Sequence, residues 1–192
     1  MMNTSHTPKQ QLPPAQIKAF GAENIICDDT EIRGATVSFG NNNIVHPKSK
    51  ILSTGGGAIM FGNYNIIEEG VVIINRTSQI LHIGDENIFE VGAFFEGLSI
   101  GNGCIMEPKS STLAGTTLGD NCVIGTSCTT WTNETLPANS VIFGSSNERR
   151  KQTPRSKEQA SVHLKHVEYL KEVLKRFHAQ KAGVVQSIGI VS

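Results

Sequence analysis

From residue 100 to residue 142 an interior-type residue recurs every six positions: Ile100, Met106, Thr112, Leu118, Ile124, Thr130, Leu136 and Ile142. Two residues before most of them stands a small one, at Cys104, Ser110, Thr116, Cys122, Cys128 and Ser140, with Glu134 as the exception. Glycine follows the large residue at Gly101, Gly119 and Gly125, and Pro137 takes that place later. A period of six is neither the 3.6 of a helix nor the plain alternation of a half-buried strand. It is the mark of a solenoid in which three hexads make one triangular turn.

The same phase runs upstream in triplets: Phe39, Val45 and Ile51, then Phe61, Ile67 and Ile73, then Ile83, Phe89 and Phe95. Ten residues separate Ile51 from Phe61, and ten separate Ile73 from Ile83. Both insertions follow the third member of a triplet, which confines them to one corner, where a solenoid tolerates extra chain. The expected fold is therefore a left-handed parallel β-helix of about six to seven turns, followed by one α-helix.

Aligned turn on turn, the second side reads G-N-N-N-I-V, G-N-Y-N-I-I, G-D-E-N-I-F, G-N-G-C-I-M, G-D-N-C-V-I and P-A-N-S-V-I. Asn43, Asn65, Asn87, Cys104, Cys122 and Ser140 should stack about 4.8 Å apart, with the asparagines bonded along the column. Cys104 and Cys122 would be neighbours there, and in a reducing compartment all four cysteines are expected as free thiols. The expected organisation is an N-terminal arm at 1–19, the β-helix at 20–144, a linker at 145–156, an amphipathic helix at 157–181 and a tail at 182–192. The helix stripe is Leu164, Val167, Leu170, Val173, Leu174 and Phe177. It is expected to pack on the solenoid wall or on another chain. The tail shows no pattern long enough to assign.

The formal net charge is zero, from 17 basic and 17 acidic residues among 192. The zero conceals an asymmetry, with ten basic and four acidic residues in 148–181. A uniformly basic nucleic-acid binder is excluded. No run reaches the roughly 18 apolar residues of a membrane span. The polar, proline-containing start lacks the apolar core of a signal peptide, so the cytoplasm is the expected location.

Two histidines, His46 and His82, fall in the solenoid. His46 in N-I-V-H-P resembles the position of the first zinc ligand in γ-class carbonic anhydrases, and Glu31 to Ala35 resembles that family's arginine-glycine-aspartate segment. Ala35, however, replaces the aspartate, and the further two histidines of that family are missing. Acyltransferases with this repeat need a general-base histidine in a groove between subunits; His46 or His82 are the candidates, but neither sits in a recognisable motif. No catalytic residue, metal ligand or cofactor is therefore assigned. What stands out is a corner row of Glu68, Glu90 and Glu107, either a hydrated edge or a docking strip for a basic partner. The candidate interaction residues are these three together with Leu164, Val167 and Leu174.

The strings I-F-E-V-G at 88–92, M-E-P-K-S at 106–110, D-N-C-V-I-G at 120–125 and V-I-F-G-S-S-N-E-R-R at 141–150 resemble the β-helix subunits of the dynactin pointed-end complex. So do E-I-R-G at 31–34, I-V-H-P-K at 44–48 and I-I-E-E at 66–69. The resemblance spans roughly residues 15 to 180 and includes the single helix after the solenoid. It implies a non-catalytic subunit associated with dynactin subunit 5, dynactin subunit 4 and the pointed-end actin-related protein. Through them it would serve dynein, cargo adaptors and microtubule-based transport in the cytoskeleton. The alternative is a hexapeptide-repeat enzyme, an acyltransferase or a carbonic anhydrase-like protein.

Overall fold

A computed structural model describes residues 12–19 and 21–181. The chain winds as a left-handed parallel β-helix of about seven turns with one helix after it. Every third strand falls on the same side of a triangular prism until the last turn, where the third side adds only an isolated bridge between Ser111 and Thr129. The first side holds β1 (Ile17–Ala19), β4 (Val37–Phe39), β7 (Ile59–Phe61), β10 (Leu81–Ile83), β13 (Ser99–Ile100), β16 (Thr117–Leu118) and β18 (Thr135–Leu136). The second holds β2 (Ile25–Ile26), β5 (Ile44–Val45), β8 (Ile66–Ile67), β11 (Ile88–Phe89), β14 (Ile105–Met106), β17 (Val123–Ile124) and β19 (Ser140–Phe143). The third holds β3 (Glu31–Arg33), β6 (Lys50–Ser53), β9 (Val72–Asn75), β12 (Phe94–Phe95) and β15 (Ser111–Thr112).

The hexad phase is the register. On the second side Val45, Ile67, Phe89, Met106, Ile124 and Ile142 pair in succession, and all are fully buried. Thr112 and Thr130 hold the inward position with no more than 1% exposure, because each hydroxyl finds a partner. Thr112 Oγ1 accepts the Glu96 amide at 2.9 Å, and Thr130 Oγ1 accepts the Leu113 amide at 2.9 Å. Phe39 stacks on Phe61 with ring centroids 4.7 Å apart. Phe89 meets Phe95 edge-on at 5.8 Å.

The asparagine column forms as expected and begins one turn earlier, at Asn24. Its Oδ1 accepts the Asn43 amide and Nδ2, Asn43 Oδ1 accepts both from Asn65, and Asn65 Oδ1 accepts the Asn87 amide. Asn87 Oδ1 then takes the Cys104 amide at 2.8 Å, and Cys104 Sγ takes the Cys122 amide at 3.4 Å. All four cysteines are free and buried. A second ladder runs outside the preceding corner. Asn41, Asn63, Asp85, Asn102 and Asp120 each accept, through Oδ1, a backbone amide of the turn before. The glycine beside each rung makes room for it: a Cβ at Gly62 would lie 2.1 Å from Asp85 Oδ1.

The two four-residue insertions stack on each other at the expected corner. Asn75, 2% exposed, organises both: its Nδ2 donates to the carbonyls of Gly57 and Gln79, and its Oδ1 accepts the Thr77 amide. A Cβ at Gly57 would stand 1.9 Å from the Gln79 carbonyl oxygen, so the pair of loops closes only over a glycine.

Three boundaries differ from those read in the sequence. The first strand, β1, is within residues expected as an arm. The stretch expected as a linker carries β20 (Glu148–Lys151), which folds back antiparallel on β19. Its charged run E-R-R-K suits a sheet edge, where charge discourages further pairing. The helix α1 spans Lys157–Phe177 and starts with a capping box, in which Ser156 Oγ accepts the Gln159 amide and Gln159 Oε1 accepts the Ser156 amide. Residues 179–181 then return to the first turn, where Asp28 donates to the Ala179 carbonyl and Lys181 donates to that of Ile26, both at 2.9 Å.

Candidate functional site

Helix α1 packs on its own solenoid. Val167, Leu170 and Leu174 meet the outward residues Ile25, Cys27, Ile44 and Ile66 of the second side. The buried face of the helix is His163, Val167, Leu170, Lys171 and Leu174, rotated from the stripe expected. Leu164 and Phe177 stay exposed at 38% and 70%. The rotation has a polar cause. Lys171 Nζ reaches Glu23 at 2.6 Å and Glu168 at 2.9 Å and also bonds to Asn42, so a buried ammonium is paired on three sides. Burial works against its charge, but these partners outweigh it and hold its pKa above the usual lysine value. At the other end Arg155 joins Glu86 at 2.8 Å. Of the candidate interaction residues on the helix, Val167 and Leu174 therefore face the prism, and Leu164 faces solvent.

The acidic row lies in one column at the corner after the second side and is half-buried. Two of its members have turned onto the backbone. Glu68 Oε2 accepts the Val91 amide at 3.0 Å, and Glu107 Oε2 accepts the Thr126 amide at 2.8 Å and its hydroxyl at 3.0 Å. Glu90, between them, is left with repulsion. Burial, then the charges of Glu68 and Glu107, hold its carboxyl above the ordinary range.

A raised carboxyl pKa means that the folded state binds the proton more tightly than the unfolded chain. Glu90 therefore costs stability at neutral pH, and the cost vanishes as pH falls below its unfolded value. Glu90→Gln is expected to raise the urea midpoint at pH 7, by the equivalent of about 1 kcal/mol or less, and to leave it unchanged near pH 3. Equal midpoints at pH 7 would show that solvent screens the row completely.

The two solenoid histidines are not brought together. His82 lies on β10 in the first side, paired beside Met60 and Ser99, with its side chain exposed. His46 stands at the corner after the second side. Its carbonyl accepts the hydroxyls of Thr30 at 3.2 Å and Ser49 at 2.8 Å. Its Nε2 is buried with no partner among the described residues. Burial first, then the charges of His178 and His166, lower its pKa. Arg33, in the segment likened to a carbonic anhydrase motif, is committed elsewhere, bonded to Glu31 at 2.7 Å and to the Leu12 carbonyl at 3.0 Å. Among the described residues no group of three His, Cys, Asp or Glu side chains is placed to hold a metal ion.

Sequence reasoning missed a groove of about 520 Å³ where the start of α1 leaves the prism. Ile88, Ile105 and Val123 line it from the second side, with Val162, His163 and His166 from the helix. His163 Nε2 lies 2.7 Å from the Tyr64 carbonyl, and its Nδ1 is buried without a partner among the described residues. Burial lowers its pKa. The available signal was the outward branched column on the second side, which continues past the point where a helix of this length ends. Among the described residues no helix is long and apolar enough to cross a membrane.

No family model and no curated protein matches the chain. Solved structures do. A Bacillus cereus protein described as a candidate acetyltransferase, the BC4754 gene product, superposes with a TM-score of 0.52 at 14% identity. The match covers 84% of this chain and 92% of that one. A hexapeptide transferase family protein from Anaplasma phagocytophilum gives 0.41 at 10% identity, over 86% of this chain and 97% of its own. The first of these bears on the fold alone: this chain is similar to it in architecture, that of a left-handed parallel β-helix.

Proposed function

We propose that this chain is a non-catalytic subunit of the dynactin pointed-end complex, of the subunit 6 type. It would support the complex's part in dynein-driven transport on microtubules. The observation that carries the non-catalytic part is the separation of the solenoid histidines: His82 faces out from the first side, while His46 lies at a different corner with its ring half-enclosed. A site that uses both histidines of one chain needs them around one reacting atom, and these two do not converge. The particular complex rests on the ordered non-repeat strings in 31–34, 44–48, 66–69, 88–92, 106–110, 120–125 and 141–150. Dynactin subunit 5, dynactin subunit 4 and the pointed-end actin-related protein are the partners in this reading, and the cytoplasm is the location.

The groove favours a second reading, a hexapeptide-repeat acyltransferase. It is of ligand size, it holds His163 and His166, and the Bacillus cereus protein of this architecture is described as a candidate acetyltransferase. Affinity purification of the tagged full chain from native cytosol separates the two. The subunit reading expects the three pointed-end chains to co-elute in near-equal amounts and no heat on titration with acetyl-coenzyme A. Elution as a homotrimer that binds acetyl-coenzyme A would overturn it in favour of the enzyme.

A further inference from the structure

Helix α1 carries two stripes. The first, around Val167, Leu170 and Leu174, is buried against the prism. The second is Val162, His166, Tyr169, Val173 and Phe177, at spacings of four, three, four and four residues. With 3.6 residues to the turn these five fall within about 80° of arc, on the flank of the buried face. Val162, Tyr169 and Phe177 are 66%, 62% and 70% exposed. A helix that rests on one protein needs one apolar face. A second contiguous one, with aromatic members, has the make-up of a surface for another element, and its spacing is that of a helix-packing seam.

The second stripe opens into the groove. Val162 and His166 at its start form one wall, over the floor of Ile88, Ile105 and Val123. Side chains two apart along a strand face the same way. Glu90 and Glu107, two residues beyond Ile88 and Ile105, therefore border that floor, and the acidic row is the far bank of one trough. His46 heads the same column, and the charges of His166 and His178 act on its ring, which keeps the helix beside the row along its length. The banks differ in charge. The helix side is mixed, with Lys165 and Arg176 flanking the stripe beside Glu158 and Glu172. The far side is carboxylates alone, and Glu90, left with repulsion between its neighbours, is where an incoming cation gains most. His163 in the groove wall adds a buried acceptor: Nε2 is committed to the Tyr64 carbonyl, and Nδ1 has no partner among the described residues.

We propose that this trough receives an amphipathic helix of a partner chain, whose apolar seam lies on the second stripe of α1 and whose Lys/Arg-bearing edge turns to Glu68, Glu90 and Glu107. The inference rests on the subunit reading, since the acyltransferase reading fills the same groove with a small molecule. Apolar contact supplies the area, and the one-sided charge selects a basic edge over an acidic one. The chain has no net charge, so a basic partner is drawn by this bank and not by the molecule as a whole.

The probes are two labelled three-heptad peptides with Leu along the seam and Gln along one edge. The other edge is Lys in one peptide and Glu in the other. Fluorescence anisotropy with the full chain should show the Lys-edged peptide binding at least tenfold more tightly. Tyr169→Asp, at an exposed position, is expected to weaken it at least tenfold with circular dichroism unchanged, and Glu90→Lys to abolish the preference between the peptides. A benzophenone side chain placed at position 169 should cross-link to the Lys-edged peptide. Failure of that peptide to bind, equal affinity for the two, indifference to Tyr169→Asp, or cross-links that form instead to residues 182–192 or to a second copy of this chain overturns the proposal. Displacement of the peptide by acetyl-coenzyme A overturns the subunit reading with it, whereas the other failures leave co-elution of the pointed-end chains to be judged by itself.

Discussion

Asn65→Ala lowers the unfolding free energy by about 3–5 kcal/mol, while Asn87→Ala, one turn further on, costs only about 1 kcal/mol. Asn65 is fully buried and fully used. Its Nδ2 donates to Asn43 Oδ1 at 3.0 Å and to the Gly84 carbonyl at 2.9 Å, and its Oδ1 accepts the Asn87 amide at 3.0 Å. Truncation strands the Gly84 carbonyl and the Asn87 amide where no water reaches, and each orphan costs about 1–3 kcal/mol. Asn87 has a different balance. Its Oδ1 holds the Cys104 amide, but its Nδ2 has no partner in the described structure. Removing that side chain loses one bond and also removes one unpaired donor. Urea unfolding of the two variants side by side measures the difference, and equal costs would show that packing, not the ladder, accounts for the column.

Val167→Asp is expected to release α1 while leaving the prism wound. Val167 is fully buried against outward isoleucines of the second side, and an isolated carboxylate there would have to become neutral or leave. Leaving is the cheaper course, because the helix makes its contacts through a single face. The expected readout is tryptic cleavage at Lys165 or Arg176 at least tenfold faster than in the parent chain, with the sheet signal in circular dichroism retained. Loss of the sheet signal together with the helix would show instead that the solenoid cannot hold its turns without this strut.

The solenoid was legible in the sequence because its period is imposed by geometry. Each inward position needs a residue that fills or bonds within the same cross-section, and Ile100, Met106, Thr112, Leu118 and Ile124 meet that need at six-residue intervals. The asparagine column was legible for the same reason. The external ladder of Asn41, Asn63, Asp85, Asn102 and Asp120 was not, since Asn and Asp at turns are read first as corner residues. The helix was legible as an element but not in its orientation. Apolarity alone chooses Leu164, Val173 and Phe177 for the stripe, whereas the prism offers the carboxylate of Glu23 and the carbonyl of Tyr64, which draw Lys171 and His163 inward. The groove followed from that orientation and from the helix start, and its one trace in the sequence was the outward branched column of Ile88, Ile105 and Val123. The corner row of Glu68, Glu90 and Glu107 was legible as a row, but the amides of Val91 and Thr126 that engage two of its members belong to the neighbouring turn.

The return of residues 179–181 to the first turn sets an order on the birth of this molecule. Asp28 and Lys181 are bonded across 153 positions of sequence, which a ribosome takes about 8–30 s to polymerise. Through that interval the earliest rung to emerge lacks its last hydrogen-bonding neighbour, while later rungs are already shielded on both flanks. The nascent chain is thus most adhesive at the part made first, and that is where a chaperone would have to stand guard until translation ends.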